Sequence, residues 1–287
     1  MALNLPTFYK RTASAIVFGI IMLAGLLWNP VSFLALICLI GVLCYREYTL
    51  LMKRIFPDAY WPVWLMPVFA GIGLVLSVLV ALLLLQTNDG RLQEWDYMVP
   101  VRILKGMAIV PAILFMVALL SKKDFYHALV LAIFGLCYIL VPMLSLLYLY
   151  DTNSLLPLTL ILMIWTNDTM QYLVGSFIGK TPFSPISPKK TWEGTIGGSL
   201  LTVVGAAVYG YFSKGNMLEL MALALCASVA GTLGDLIESK LKRLADVKDS
   251  GNIMPGHGGA LDRFDSLLVA APFAFVCIAC IFHVYRG

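Results

Sequence analysis

The stretch Ser239–Asp265, SKLKRLADVKDSGNIMPGHGGALDRFD, is polar and glycine-rich and lies between two apolar runs, residues 216–237 and 264–285. A helix of roughly 20 apolar residues crosses about 30 Å of hydrocarbon, so both runs read as membrane spans and the stretch between them as a loop at one membrane face. Its residues share a chemistry. Lys240, Lys242, Arg243, Lys248 and Arg263 can neutralise phosphates, and Asp246, Asp249, Asp262 and Asp265 can hold a hard divalent cation. Gly256, Gly258 and Gly259 let backbone amides approach an anion closely. A membrane protein with this loop is expected to handle a polyphosphate.

Composition gives the membrane class independently. The chain is 60% hydrophobic and 13% charged, with a mean hydropathy of +0.88, too little polar surface to cover a soluble globule. Further apolar runs lie near 12–29, 31–52, 63–86, 101–120, 127–150, 155–179 and 195–213. The expectation is an all-α polytopic membrane protein of about nine helices, one membrane-embedded domain over 1–287. Residues 1–150 supply N-terminal hydrophobic helices, and 151–287 the catalytic helices and loops. The first run follows Lys10 and Arg11 but ends at Leu27-Trp28-Asn29-Pro30 without a small-residue cleavage site, and reads as a retained helix. Cys38, Cys44, Cys137, Cys226, Cys277 and Cys280 lie in or beside apolar segments and complete no zinc pattern. His127 and His283 flank membrane segments and receive no role. No nucleic-acid partner is expected.

Trp165-Thr-Asn-Asp-Thr-Met-Gln171 interrupts an otherwise apolar helix. A carboxylate at membrane depth is costly and marks either a site or a buried polar clamp, so Asn167 and Asp168 are candidate substrate-binding residues, with Gln171 on the same face as Asp168. Lys189 and Lys190, in Ser187-Pro-Lys-Lys-Thr-Trp-Glu-Gly194, are placed either to meet phosphates or to anchor the membrane interface. Glu193 and Gly194 would open the next helix. Just upstream, Gly175-Ser-Phe-Ile-Gly-Lys-Thr181 is one residue short of a phosphate-binding loop and ends a membrane helix instead of following a strand, so it is set aside. Asp235 and Glu238 close the run before the glycine-rich loop, and Asp262 and Asp265 open the one after it; each pair, three apart, shares a helical face. Two such faces meeting would cage Mg²⁺, which takes oxygen ligands and accepts substrate phosphates among them. Asp262 also suits a helix cap. The surplus of carboxylates leaves room for a second cation.

Ser239, Leu241, Lys242, Arg243, Lys248, Asp249, Pro255, His257, Gly258, Gly259, Asp262, Arg263 and Asp265 fill, at the same spacing, the signature of the phosphatidate cytidylyltransferases (CDP-diacylglycerol synthases), which this chain closely resembles. Met254 and Ala260 stand where that pattern usually has other apolar residues. The resemblance extends to Trp165–Asp168, Ser187–Gly194 and Gly234–Ser239, roughly the C-terminal half. It implies an enzyme of phospholipid biosynthesis, joining CTP to phosphatidic acid with release of pyrophosphate. Asp235 and Asp262 would then be metal ligands, with Asp265 beside them. Lys242, Arg243, Lys248, Asp249 and Arg263 would belong to the catalytic set, and Ser239, Gly258 and Gly259 to substrate binding. His257 would bind phosphate or organise the glycine loop, because a phosphate monoester is already ionised near neutrality and needs no strong base. A homodimer is also implied. Two alternatives stay open: the same chemistry on another lipid phosphate, such as an isoprenoid-glycerol phosphate, and a transporter whose Asp168 and Asp235 line an ion path.

With nine crossings, fifteen of the 20 Lys and Arg fall on the N-terminal side, leaving Arg91, Arg102, Lys105, Lys214 and Arg286 on the other. The positive-inside rule then puts the N-terminus and the motif loops in the cytoplasm and the C-terminus outside, in a plasma (inner) membrane of bacterial type. A cysteine introduced near Ser250 should therefore react with an impermeant thiol reagent from the cytoplasmic face, and one placed after Tyr285 from the opposite face. Labelling of both from one side would refute the odd number of crossings.

Overall fold

The computed structural model describes residues 5–59, 67, 68, 70–75, 77, 78, 126–213, 216–253 and 258–286. Seven long helices and one hairpin carry the described chain: α1 (Leu5–Leu27), α2 (Pro30–Ile55), α3 (Tyr126–Thr152), α4 (Leu156–Ile178), β1 (Pro182–Ser184), β2 (Ser187–Thr191), α5 (Trp192–Ser213), α6 (Met217–Leu244) and α7 (Leu261–Arg286). Five helices, α2, α3, α5, α6 and α7, contain stretches long and apolar enough to cross a bilayer. The helix α4 has the length, but Thr166, Asn167, Asp168 and Gln171 lower its apolarity. The chain is an all-α integral membrane protein, with one small β-hairpin among the described residues. Most of the expected runs at 63–86 and 101–120 lie outside the described residues, as does His257.

Local sequence explains the helix ends. Asn29 caps α2 in a reciprocal box: its Oδ1 accepts from the Ser32 amide at 2.8 Å and its own amide donates to Ser32 Oγ at 3.0 Å. Pro30 follows at the first helical position, where its missing N–H costs nothing. Asn216 caps α6 through the Glu219 amide. The polar stretch that reads as loop from Ser239 onward continues as helix to Leu244. Asp235 therefore lies more than two turns inside α6 rather than at its C-terminal end, and the loop proper begins after Lys242 and Arg243, basic residues that suit a helix C-terminus.

Two faces emerge from the packing. Ile16, Ile20, Leu200, Val204, Val208, Leu225, Val229 and Phe273 are exposed along the helices, as expected for surfaces in contact with lipid. Phe33, Leu129, Leu146, Leu149, Leu160, Leu223, Leu261 and Leu268 are fully buried between α2, α3, α4, α6 and α7. Small residues permit the closest helix contacts. A Cβ on Gly194 of α5 would lie 2.9 Å from Gly175 Cα of α4, and one on Gly198 2.7 Å from Gln171 Cα. On α6, a Cβ at Gly234 would press on the Asp265 carbonyl and stand 3.0 Å from Ser266 Cα of α7.

That contact sets the spacing between Asp235 and the aspartates of α7. Gly234→Ala should force the helices apart and cost roughly 1–3 kcal/mol, a fall of roughly 2–4 °C in melting temperature per kcal/mol for a domain of 150–250 residues. An unchanged melting temperature in detergent would show that the helices do not meet there.

Candidate active site

The β-hairpin, the last turns of α4, the start of α5, the C-terminal half of α6 and the start of α7 converge at one end of the bundle. The hairpin pairs Pro182 with Thr191 and Ser184 with Ser187, and its entry is held by Glu193, whose carboxylate accepts from the amides of Lys180 and Thr181 and from Thr181 Oγ1 at 2.8 Å. Glu193 thus fastens β1 to the first turn of α5. Phe183 and Trp192 stack edge to face with ring centroids 4.6 Å apart. The fixed hairpin presents Lys189 and Lys190 to an open cavity of about 470 Å³. Asp168, Gln171, Tyr172 and Ser176 of α4, Asp235 of α6, and Asp262 and Asp265 of α7 complete much of its wall.

Within this wall Lys190 pairs with Asp235. Gln171 Nε2 donates to Thr232 Oγ1 at 2.7 Å, tying α4 to α6 below the cavity. Asp168 faces the cavity, whereas Asn167, one residue earlier, is fully buried and neither of its amide atoms finds a hydrogen-bond partner among the described residues. The two neighbours therefore occupy different environments.

Behind the aspartates runs a buried polar chain. Glu238 is fully buried and pairs with Lys242 one turn further along α6. Lys242 Nζ donates to Asp262 Oδ1 at 2.7 Å. The other oxygen of Asp262, Oδ2, accepts from the Ser250 amide at 2.8 Å and from the Gly259 amide at 2.7 Å, and lies 2.9 Å from Ser250 Oγ. Asp235 and Glu238, expected to face a metal together, part company: Asp235 lines the cavity and Glu238 serves Lys242. Gly258 adopts φ +83°, a left-handed conformation that suits glycine, and a Cβ there would strike the Asp262 carboxylate at 2.6 Å. The anion that this turn approaches in the structure is the protein's own.

A carboxylate that the sequence reading passed over completes the chain. Glu47 of α2 is 1% exposed. Its Oε1 accepts from the Ala260 amide at 3.0 Å, and its Oε2 from the Leu261 amide at 2.8 Å and Ser250 Oγ at 2.7 Å. It thereby satisfies amides left open at the start of α7. Its signal was in the sequence: Arg46-Glu47 is a charged pair inside the apolar run 31–52.

The other sequence candidates lie apart. Arg243, Lys248, Asp249 and Arg263 are exposed and do not line the cavity; Arg243 Nη1 donates to the Val247 carbonyl at 3.4 Å. Ser239 is half-buried on α6. Among the described residues, no three Asp, Glu, His or Cys side chains are grouped to hold a metal ion by themselves. The donor chemistry still suits a hard cation. Asp168, Asp235, Asp262 and Asp265 all line one cavity, and carboxylate oxygens are the donors that such a cation takes. Asp262 is the least available of the four, since both of its oxygens already accept hydrogen bonds.

Known proteins resemble the chain along most of its length. A family model described as "Cytidylyltransferase family" matches residues 9–281. The phosphatidate cytidylyltransferase of Bacillus subtilis is 48% identical over 119 residues, 40% of this chain and 44% of that protein. That of Staphylococcus epidermidis is 35% identical over 206 residues, 70% of this chain and 76% of that protein. That of Staphylococcus aureus is 47% identical over 114 residues, 39% of this chain and 44% of that protein. The matches to the first and third thus span less than half the length of those relatives, whereas the second covers three quarters. With the family match covering nearly the whole chain, this protein belongs to the cytidylyltransferase family.

Proposed function

We propose that the chain is a phosphatidate cytidylyltransferase, converting CTP and phosphatidic acid to CDP-diacylglycerol and pyrophosphate. The observation that carries this reading is the single cavity in which Lys189 and Lys190 face Asp168, Asp235, Asp262 and Asp265 at the end of a lipid-facing helix bundle. Relatives bearing that name supply the substrate pair. Tyr172 and Ser176 carry the cavity to the exposed face of α4. A lipid phosphate can therefore enter among the lysines while its acyl chains stay in the bilayer.

In the reaction, an oxygen of the phosphatidate monoester attacks the α-phosphorus of CTP. The new P–O bond forms as the bond to the bridging oxygen of pyrophosphate breaks, and pyrophosphate leaves with the electron pair. The nucleophile is ionised near neutrality, so the protein's task is alignment and charge neutralisation. Lys189 and Lys190 would hold phosphate oxygens, with Asp235 keeping Lys190 in place before substrate arrives. Lys242 fixes Asp262 at the cavity edge. Asp235 and Asp265, with Asp262 and Asp168 beside them, would hold Mg²⁺, which when bound offsets negative charge on the nucleotide phosphates. On this reading the cavity faces the cytoplasm, the source of CTP, across a bacterial inner membrane, and the enzyme works as a homodimer.

Purified protein should release pyrophosphate from CTP only when phosphatidic acid is present. Lys190→Ala should cut turnover by roughly two to three orders of magnitude, the scale of losing one preorganised stabiliser at about 3–4 kcal/mol. Asp235→Asn should abolish transfer while the protein remains folded in detergent. Turnover with an isoprenoid-glycerol phosphate in place of phosphatidic acid would reassign the lipid, and ion flux without CTP consumption would reject the enzyme altogether.

A further inference from the structure

We infer that Glu47, on the N-terminal side of the chain, is a positioning residue for the transfer site, acting through Ser250 and the first turn of α7 on Asp262. The inference rests on reading the cavity as a nucleotidyl-transfer site. Its physical basis is the one hydroxyl that two carboxylates share. Ser250 Oγ lies 2.7 Å from Glu47 Oε2 and 2.9 Å from Asp262 Oδ2, and a hydroxyl has a single proton to donate. The Ser250 amide also donates to Asp262, so Ser250 is anchored on both sides.

Glu47 holds the same structure from a second direction. The amides of Ala260 and Leu261 donate to it and the neighbouring Gly259 amide donates to Asp262. Three consecutive amides at the start of α7 are thus divided between the two carboxylates. Among the described residues, the partners of Glu47 are hydroxyl and amide donors, with no cation beside it. Such a site accepts only a group that can take three hydrogen bonds at once. A Cβ at Gly251 or Gly259 would collide with the Glu47 carboxylate, so both loop strands close directly over it. The carboxylate sits between α2 and the described ends of the loop, holding Ser250 on one side and Ala260 and Leu261 on the other.

Glu47→Gln keeps the shape but replaces one acceptor oxygen by an NH₂ group that faces donors. The loop should loosen and Asp262 should lose its fixed orientation while the substrate-binding lysines stay in place. In full-length protein, kcat should fall at least tenfold while KM for CTP changes less than twofold. Amide hydrogen exchange in residues 248–264 should speed up at least tenfold, with exchange in α4 and α6 unchanged. Ser250→Ala should reproduce the kcat effect, and adding it to Glu47→Gln should cost less than a further twofold, since both act through one contact. Should Glu47→Gln fail to accumulate, Ser250→Ala carries the same test alone. Unchanged exchange at 248–264 would overturn the inference whatever the activity. So would a loss of kcat that vanishes at lower temperature along with a lowered melting temperature, which would mark a purely structural residue. Inactivity of the parent protein with CTP and phosphatidic acid would instead indict the proposed reaction, and the exchange measurement would still decide on Glu47.

Discussion

One ammonium group, Lys242 Nζ, lies between Glu238 and Asp262, and much of the site depends on it. Glu238 is fully buried and Asp262 mostly so. Two carboxylates brought this close without a cation would repel strongly in a medium that screens poorly, and removal of one partner from a buried ion pair is generally far more destabilising than the pair is stabilising. Lys242 sits on α6 and Asp262 on α7. Their bond therefore fixes how the second aspartate pair is presented beside Asp235, and it does so across the contact that Gly234 makes possible.

The remaining side of the cavity is placed by small residues rather than by charge. Gly175, Gly194 and Gly198 let α4 and α5 approach until backbone meets backbone. In a bilayer, where lipid competes equally for apolar side chains, such close packing is a main source of helix association. The approach brings Gln171 to Thr232 and sets the hairpin over the cavity mouth. Glu193 then fixes the hairpin's first strand, leaving Lys190 close enough to pair with Asp235. Packing positions the elements and a few polar contacts set the final orientation of the lysines.

The sequence revealed the parts of this architecture that rest on composition and short spacing. Long apolar runs become helices because backbone hydrogen bonds must close within the segment in a bilayer, and the described spans fall where those runs lie. The pair Asp262 and Asp265 opens α7 as its spacing suggested. What sequence could not give is division of labour. Asp235 and Glu238 share a helical face by arithmetic, but only the neighbouring helices decide that one looks into the cavity and the other toward Lys242. Asn167 and Asp168 are adjacent in sequence and part for the same reason. The hairpin at 182–191 was hidden because its strands are short and contain prolines. Glu47 escaped because its partners are more than 200 residues away, a separation that no local pattern reports.

The balance of charge at the cavity bears on how a nucleotide could enter. Its described wall has four aspartates against two lysines, and Lys190 is already engaged by Asp235. Asp262 is likewise engaged by Lys242, and a triphosphate brought beside any wall carboxylate that is ionised meets like charge, each unit pair about 4 Å apart costing about 4 kcal/mol at a surface-like dielectric. On the proposed reading, a divalent cation held by these aspartates would relieve that repulsion, since carboxylates and phosphates would then share one positive centre. Lys190 would then be free to exchange Asp235 for a phosphate oxygen. On that reading the acids would line the cavity to share a cation with the nucleotide's phosphates, and the lysine's change of partner would follow from the same exchange.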